Sequence, residues 1–500
     1  MATPPLQTDD LEKAGHVILS YLADSIDCTE MTRAERANYR AVKNWLVKYQ
    51  ALVAATNLEK LKGLLESYYH LCELAEWEAA TQLLLLRVNI VNRKLQGALV
   101  EPFHLQLGRW GYYTVQRQLY ERLLGQSTPE TEVVCLNGLG LVCQSMGDPA
   151  GAVEWHSQHL DLARDLANLE AEQNVLCNLG NVYGSVGQYA AATTCYEQAL
   201  PLARQIRDSS GEGKLLGNLG VLRRSQGDFQ GGIAYHQQHL QIALAIEDQD
   251  GQANALENLG VAHYYLGVYD IAKDLFESSL RINAQIGAQR AMAATLGSLG
   301  NVCTAEGKFQ EALAYYQRQL ERSREIGYLE GEEKALGNIG TVHKELGDYE
   351  ASLRFLRQKL SLARRLQSKE GEAYVLSNMG NTYTCMGEYE AAIRCQRESM
   401  AIVEEVGDRW GWAAAMCNLG DAYRLSKQFD AAISSLLNSL LAFDELGAPQ
   451  TETVMALLTQ VSFNLSAEQY IESIEKHLEV IRKTEDKDAV IKLRKYLFEE

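Results

Sequence analysis

Residues 174–200 read NVLCNLGNVYGSVGQYAAATTCYEQAL, and residues 214–240 read KLLGNLGVLRRSQGDFQGGIAYHQQHL, 40 positions further on. In the first stretch Leu176, Leu179, Gly180 and Tyr183 fall at i, i+3, i+4 and i+7, which is one face of a helix. Gly187 ends that run and suits a turn with positive φ. Tyr189, Ala192, Tyr196, Leu200 and Ile206 then mark one face of a second, longer helix. The unit is a helix pair. A single pair has nothing to bury its apolar face against, so copies must stack.

The copies are present. Gly140, Gly180, Gly220, Gly260, Gly300, Gly340, Gly380 and Gly420 recur every 40 residues without slippage. A large aliphatic residue precedes each one, from Leu139 to Leu419. The turn glycine follows as Gly147, Gly187, Gly227, Gly267, Gly307, Gly347 and Gly387, with Lys427 in the last copy. An aromatic opens the second helix at Tyr189, Phe229, Tyr269, Phe309, Tyr349, Tyr389 and Phe429, and Pro149 opens the first. Ala192, Ala272, Ala312, Ala392 and Ala432 are small, as close helix packing requires.

Composition agrees. With 46% hydrophobic and 22% charged residues, the 500-residue chain is neither disordered nor collagen-like. Seven prolines leave it free to be helical nearly throughout. No stretch is apolar enough to span a bilayer. The net charge of -18 repels phosphate and argues against a nucleic-acid partner. The ten cysteines are scattered, with no C-x-x-C and no zinc spacing, so reduced thiols in the cytosol are expected. The N-terminal MATPPLQTDD lacks the features of a signal peptide, and a cytoplasmic location is the expectation.

The pattern L-G-x-x-Y-x-x-x-G-x-Y/F-x-x-A resembles that of tetratricopeptide repeats and covers residues 131–450. Two departures are a period of 40 in place of the usual ~34 and the absence of a closing proline; both fit a longer second helix. The wording N-L-G-N-x-Y is similar to the long-period repeats of Pins/LGN-type polarity adaptors and of bacterial regulatory proteins. The G-protein-binding C-terminal motif of the Pins/LGN group is not visible, so a G-protein role is not implied. The resemblance implies an all-α chain folded as a right-handed α-solenoid. About eight regular and two degenerate helix pairs would lie between helical caps, with the first helices lining a concave surface.

Four regions are expected. Residues 1–56 form a tail and an amphipathic cap helix, 57–130 degenerate pairs, 131–450 the eight repeats, and 451–500 a charged helical cap. Trp77 with Ala80, and Tyr113 with Tyr120, echo the second-helix column in the degenerate region. The segment LGRWGYYTVQRQLYERLL resembles repeat regions attached to bacterial NB-ARC-type ATPase switches, but the chain contains no Walker A pattern. Thr32 and Glu35 give a capping box for a helix over 32–53. Its basic residues Arg33, Arg36, Arg40, Lys43 and Lys48 suit a solvated cap face, with membrane or partner binding as the alternative. Ser466 and Gln469 start another helix by the same logic, and the first ten residues are expected to lack fixed structure.

Opposite the apolar face of each first helix runs a stripe built from the columns of Asn174, Asn178, Asn181 and Ser185. By resemblance it is the groove. The 178 column holds Asn178, Asn218, Asn258, Asn338, Asn378 and Asn418; Asn181, Asn301 and Asn381 stand in the 181 column, and Asn174 and Asn254 in a third. Asparagine is ~0.5 kcal/mol worse than alanine inside a helix, so its repeated use calls for another reason. An amide both donates and accepts, and a ladder of amides can hold a peptide backbone. Bonding between neighbouring copies is the alternative. Lys214, Arg224, Lys334, Lys344 and Arg424 lie on or beside the stripe and suggest an acidic segment or a C-terminal carboxylate, against the alternative of a solvated charge mixture.

His156 with His159, and His236 with His239, are spaced for a metal, yet they occupy a column filled elsewhere by Tyr196, Phe276 and Tyr316, which is a packing column. No catalytic motif, metal site or cofactor site emerges, and the chain is read as a non-enzyme. The expected function is a scaffold, adaptor or assembly factor that binds a protein or peptide segment through the asparagine ladder. The alternative is a regulatory sensor controlling a separate enzyme, transcription machinery or ATPase switch. The sequence names neither the partner nor the oligomeric state.

Overall fold

The computed structural model describes residues 7–8, 19–20, 31–49, 56–89, 100–483 and 487–498. The chain divides into two units, Met1–Leu266 and Gly267–Glu500. Each is a stack of helices, and from Pro129 to Tyr265 and from Tyr269 to Ser462 each helix packs on the one before it within its unit. Among the described residues, no helix is long and apolar enough to cross a membrane.

The repeat frame sets the element bounds. In the first unit the pairs are Pro129–Ser145 with Pro149–Asp165, Leu169–Ser185 with Tyr189–Ile206, and Ser209–Ser225 with Phe229–Ala245, followed by Gln249–Tyr265. In the second, Tyr269–Ile286 precedes four pairs that begin at Gln289, Leu329, Lys369 and Arg409. The turn glycine adopts φ 76° at Gly187, as the sequence predicts, and Lys427 takes the same left-handed conformation at φ 62°. Aspartates at the following turn cap the next helix: the Asp208 carboxylate accepts from Gly211 N at 2.9 Å, and that of Asp408 from Gly411 N at 2.8 Å.

Close approach is what the repeated glycine provides. A Cβ on Gly180 would lie 2.4 Å from Cε1 of Tyr196, and one on Gly300 would lie 2.4 Å from Cε1 of Tyr316. The second helix therefore lays its largest side chain flat on a bare stretch of the first. Leu176, Leu179, Val182, Ala192 and Tyr196 are all buried around this contact. The outer aliphatic column is less enclosed: Leu166, Ile246, Leu366, Val406 and Leu446 sit at the helix ends and are exposed. Pro201 lies within Tyr189–Ile206, on an exposed position where the carbonyl it leaves unbonded can meet water.

A recurrent link ties four of the pairs to the next helix. The Arg164 Nε donates to Glu172 at 2.8 Å, and Arg204–Glu212, Arg324–Glu332 and Arg364–Glu372 repeat it at 2.7–2.8 Å. Each is worth ~0–1 kcal/mol at such exposed sites. Both partners are absent at Leu244 with Gln252, at Ala284 with Met292 and at Glu404 with Trp412.

At the N-terminal end the helix runs Arg33–Lys48, with the predicted Thr32–Glu35 capping box in place. Its expected extension toward residue 53 lies outside the described residues beyond Tyr49. Val42 and Leu46 are buried, while Arg33, Arg36, Arg40, Lys43 and Lys48 are exposed. Asn57–Glu73, Trp77–Leu84, Phe103–Arg109 and Tyr113–Leu123 follow. Tyr68, Phe103 and Tyr120 are fully buried there, and the Tyr68 hydroxyl donates to Leu119 O. The sequence reading contained no strand. Yet Gln7–Thr8 pairs in parallel with Arg87–Val88, and Arg87–Asn89 pairs antiparallel with Val100–Pro102. Apart from Gln7–Thr8, the first ten residues lie outside those described.

At the other end Ser466 and Gln469 cap Ala467–Lys483 reciprocally, at 3.0 and 3.2 Å. Ile474, Leu478 and Leu493 are buried with Leu436, Leu440 and Phe443 of the last repeat. The Ser473 hydroxyl donates to Asp430 at 2.7 Å and the Tyr496 hydroxyl to Asp444 at 2.5 Å, so this segment covers the final pair.

Candidate functional site

The stripe predicted from helical arithmetic lies on the open side of the first helices. Asn174, Asn181, Lys214, Asn254, Asn301 and Lys334 are exposed. Asn178, Asn218, Arg224, Asn258, Asn338, Lys344, Asn378, Asn381, Asn418 and Arg424 are half-buried. Leu179, Leu219, Leu299, Ile339 and Leu419 on the same helices are buried, which fixes the two faces.

Several amides bond between copies. The Asn178 Nδ2 donates to Asn137 Oδ1 at 2.9 Å, Asn218 Nδ2 to Asn181 Oδ1 at 3.1 Å, Asn338 Nδ2 to Asn301 Oδ1 at 3.4 Å, and Asn418 Nδ2 to Ser377 Oγ at 3.2 Å. The alternative weighed from the sequence is therefore realised at these four positions. Asn258 differs, since its Nδ2 donates to Asn254 O of its own helix at 3.0 Å.

A second set of contacts sets the orientation of the 181-column amides. The Tyr196 hydroxyl donates to Asn181 Oδ1 at 2.7 Å, the Tyr316 hydroxyl to Asn301 Oδ1 at 2.7 Å, and Gln396 Nε2 to Asn381 Oδ1 at 2.9 Å. In each case the amide oxygen is engaged by the second helix, and the NH2 is left for the open face. Among the described residues, Asn181 Nδ2 and Asn301 Nδ2 have no protein acceptor. Asparagine stands in this column only where the partner column offers a donor. Copies with His156, His236, Phe276, Leu356 or Leu436 carry Leu141, Val221, Val261, Thr341 or Asp421 instead. This coupling was legible in the sequence and was missed, because the two columns were read as core and groove separately.

The cations divide. Lys334 pairs with Glu330 at 2.7 Å, Lys344 with Glu345 at 3.2 Å, and Arg424 with Asp421 at 2.6 Å. Lys214 is exposed and, among the described residues, forms no ion pair. Arg224 is half-buried, and its Nη1 is enclosed with no acceptor. Burial pulls its pKa below the usual guanidinium value.

The histidine pairs are interior. His156 and His236 are fully buried, and His159 and His239 nearly so. Burial pushes His156, His159 and His236 down to about 4, so they are neutral at pH 7. Among the described residues, no group of three or more His, Cys, Asp or Glu side chains is placed to hold a metal ion.

The model of the tetratricopeptide repeat matches residues 132–205, 212–285, 291–365 and 371–441, more than half of the chain. The chain belongs to the tetratricopeptide repeat family. No curated protein sequence matches it. Among solved structures, it is similar to BtubC from P. vanneervenii, at 21% identity over 44% of this chain and 91% of that one, with a TM-score of 0.40. It is also similar to the apo quorum sensor NprR from B. thuringiensis, at 14% identity over 70% and 100%, TM-score 0.48. A third is the Rap protein complexed with competence and sporulation factor, at 14% identity over 79% and 99%, TM-score 0.46. Its 40-residue frame carries both the stack and the open face.

Proposed function

We propose that this chain is a non-enzymatic protein-interaction factor in which the first-helix faces of each unit, taken by itself, hold a segment of a partner protein. Membership of the tetratricopeptide repeat family supports a role in protein interaction or in regulation through it. The observation that carries the finer reading is the fixed orientation of the 181-column amides. With Oδ1 held by Tyr196, Tyr316 or Gln396, the NH2 groups of Asn181, Asn301 and Asn381 are aimed donors suited to peptide carbonyls. Such donors recognise backbone, so they fit a segment of varied sequence. Asn174, Asn254 and Asn378 extend the same polar surface. The free thiols of the described cysteines agree with a reducing compartment.

The test is to pan a random peptide library on the full chain and measure the affinity of selected peptides by fluorescence anisotropy. Asn258→Ala and Asn378→Ala remove amides that make no bond to another repeat among the described residues. Combined with Asn181→Leu and Asn301→Leu, they are expected to weaken binding at least tenfold while the helical signal is kept. Unchanged affinity in the combined variant refutes the amide-lined groove.

A further inference from the structure

Arg324, near the end of a second helix, bridges two later helices with one guanidinium. Its Nε donates to Glu332 at 2.8 Å and its Nη2 to Gln358 Oε1 at 3.0 Å. The Arg–Glu half of this arrangement recurs at Arg164, Arg204 and Arg364. Two copies after Arg324 the same three positions read Glu404, Trp412 and Asn438. An acid has taken the arginine's place, an indole the glutamate's, and a shorter amide the glutamine's.

A cavity opens where the arginine is missing. Val403, Glu404, Arg409, Trp412, Asn438 and Leu441 are among the residues that line it. Its volume of 340 Å³ lies within the range of about 300–1,000 Å³ usual for ligand pockets. Glu404 is exposed and, among the described residues, forms no ion pair. Trp412 is half-buried: it packs against the cluster that holds Leu436 and Leu440, and also borders the cavity. Two further carboxylates stand at the rim, and both are already engaged. Asp408 accepts from Gly411 N at 2.8 Å, and Glu445 is paired with Arg409. Glu404 is thus the charge left over, and the site calls for a cation.

Other copies without the arginine show what is particular here. Leu244 stands with Gln252, and Ala284 with Met292, neither with an acid. In the last copy Asp444 takes the arginine position, and the chain itself covers it. Lys492 Nζ lies 3.0 Å from the Asp444 carboxylate, and the Tyr496 hydroxyl donates to it at 2.5 Å. A cation and an aromatic residue are brought to that acid by the C-terminal helix. Glu404 has its aromatic neighbour in Trp412 and lacks the cation.

We infer that the cavity between Glu404 and Trp412 binds a guanidinium group, taking in from outside the arginine that other copies supply themselves. A carboxylate accepts a guanidinium through two parallel N–H donors. An indole face attracts the same group electrostatically and covers its apolar stem. Asn438 occupies the position of Gln358, whose amide oxygen takes a further donor from Arg324. A lysine ammonium meets a carboxylate as a point charge and lacks the flat stacking surface, so arginine is preferred. None of the lining residues belongs to an asparagine column, and the inference stands apart from the peptide-groove reading. The guanidinium can belong to an arginine of a partner protein or to a free guanidino compound, and the two are separable by experiment.

Two probes are applied to the full chain. N-acetyl-arginine amide is titrated against protein labelled with 15N at tryptophan, and the Trp412 indole signal is assigned by its loss in Trp412→Phe. The lysine and citrulline amides serve as controls. An array of random dodecapeptides containing one arginine each is printed three times, with that residue as arginine, lysine or citrulline, and affinities are measured by anisotropy. Glu404→Arg with Trp412→Glu restores the ion pair of the other copies and fills the cavity from within. Wild type is expected to show a saturable Trp412 shift with the arginine amide, at least fivefold weaker binding of the lysine amide, and no shift with citrulline. Its captured peptides are expected to lose at least tenfold when arginine becomes citrulline. In the double variant that change is expected to alter affinity less than twofold. Exposed Glu404 keeps the test decisive if the double variant does not fold: Glu404→Gln is expected to lose at least fivefold, and an unaltered arginine preference in it overturns the inference. A Trp412 shift with the amide but no arginine-dependent capture supports the site and assigns a free guanidino compound as its guest. No Trp412 shift with the amide or with any captured peptide overturns the inference. So does an arginine preference equal in wild type and the double variant, as the net charge of -18 alone would produce.

Discussion

Tyr196 and Asn181 sit 15 residues apart on the two helices of one repeat, and the Tyr196 hydroxyl donates to Asn181 Oδ1 at 2.7 Å. The bond recurs at 2.7 Å between Tyr316 and Asn301, three copies further along the chain. A side chain whose ring is buried in the stack thus reaches through to orient a group on the open face. Core packing and the orientation of an open-face amide are joined in one residue.

Removing that hydroxyl should separate the two roles. Tyr196→Phe keeps the ring against Gly180 and is expected to cost about 1 kcal/mol of stability. Peptide affinity is expected to fall further than a stability loss of that size would explain, because the Asn181 amide is then free to turn. Thermal unfolding and anisotropy on the same sample check this.

The glycine column makes a graded prediction. A Cβ on Gly180 would sit 2.4 Å from the Tyr196 ring, whereas one on Gly340 would sit 3.0 Å from Cγ of the smaller Leu356. Gly180→Ala is expected to destabilise by about 1–3 kcal/mol through overpacking, and Gly340→Ala by less. Adding Tyr196→Leu to Gly180→Ala should recover part of the loss. Urea unfolding of wild type and the three variants reads this out.

Lys427 holds φ 62° where the other copies use glycine. A non-glycine residue pays roughly 1–2 kcal/mol for this region, offset in part by the greater freedom glycine has when unfolded. Lys427→Gly should therefore stabilise Gly267–Glu500 by about 0.5–1 kcal/mol, visible as slower hydrogen exchange in Arg409–Leu425 and Phe429–Glu445.

The buried histidines set an acid limit on the first unit. His156, His159 and His236 stand at about 4 when folded, below the usual ~6.5 of an unfolded histidine. Below pH 6.5 the unfolded chain takes up protons that the folded one refuses, so stability falls as pH drops. The loss develops between pH 6.5 and 4 and levels off below. His236→Tyr with Val221→Asn rebuilds the tyrosine–asparagine pair found in other copies. It should flatten the pH dependence of hydrogen exchange in Phe229–Ala245.

Much of the fold was legible. The unbroken 40-residue spacing from Gly140 to Gly420, with the turn glycine seven residues after each copy but the last, placed every repeat helix, since the first glycine marks where two helices touch and the second where the chain turns. Thr32 with Glu35, and Ser466 with Gln469, marked the end helices through local backbone bonding. The strands Arg87–Asn89 and Val100–Pro102 were not read, because their pairing is long-range and the segment is too short for a period to show. At the site, the stripe followed from helix geometry alone. Its wiring did not: whether Lys334 meets Glu330, or Arg224 meets nothing, depends on rotamers and on neighbours from the next copy.

The paired columns of Tyr196 and Asn181 amount to a cassette of two positions within one hairpin. Exchanging it for His236 and Val221, or for Leu356 and Thr341, switches a donor on or off in that copy while the glycines and turns that build the scaffold stay untouched. Such a chain can rewrite the amide pattern of its open face copy by copy, by paired point changes, without renegotiating its architecture.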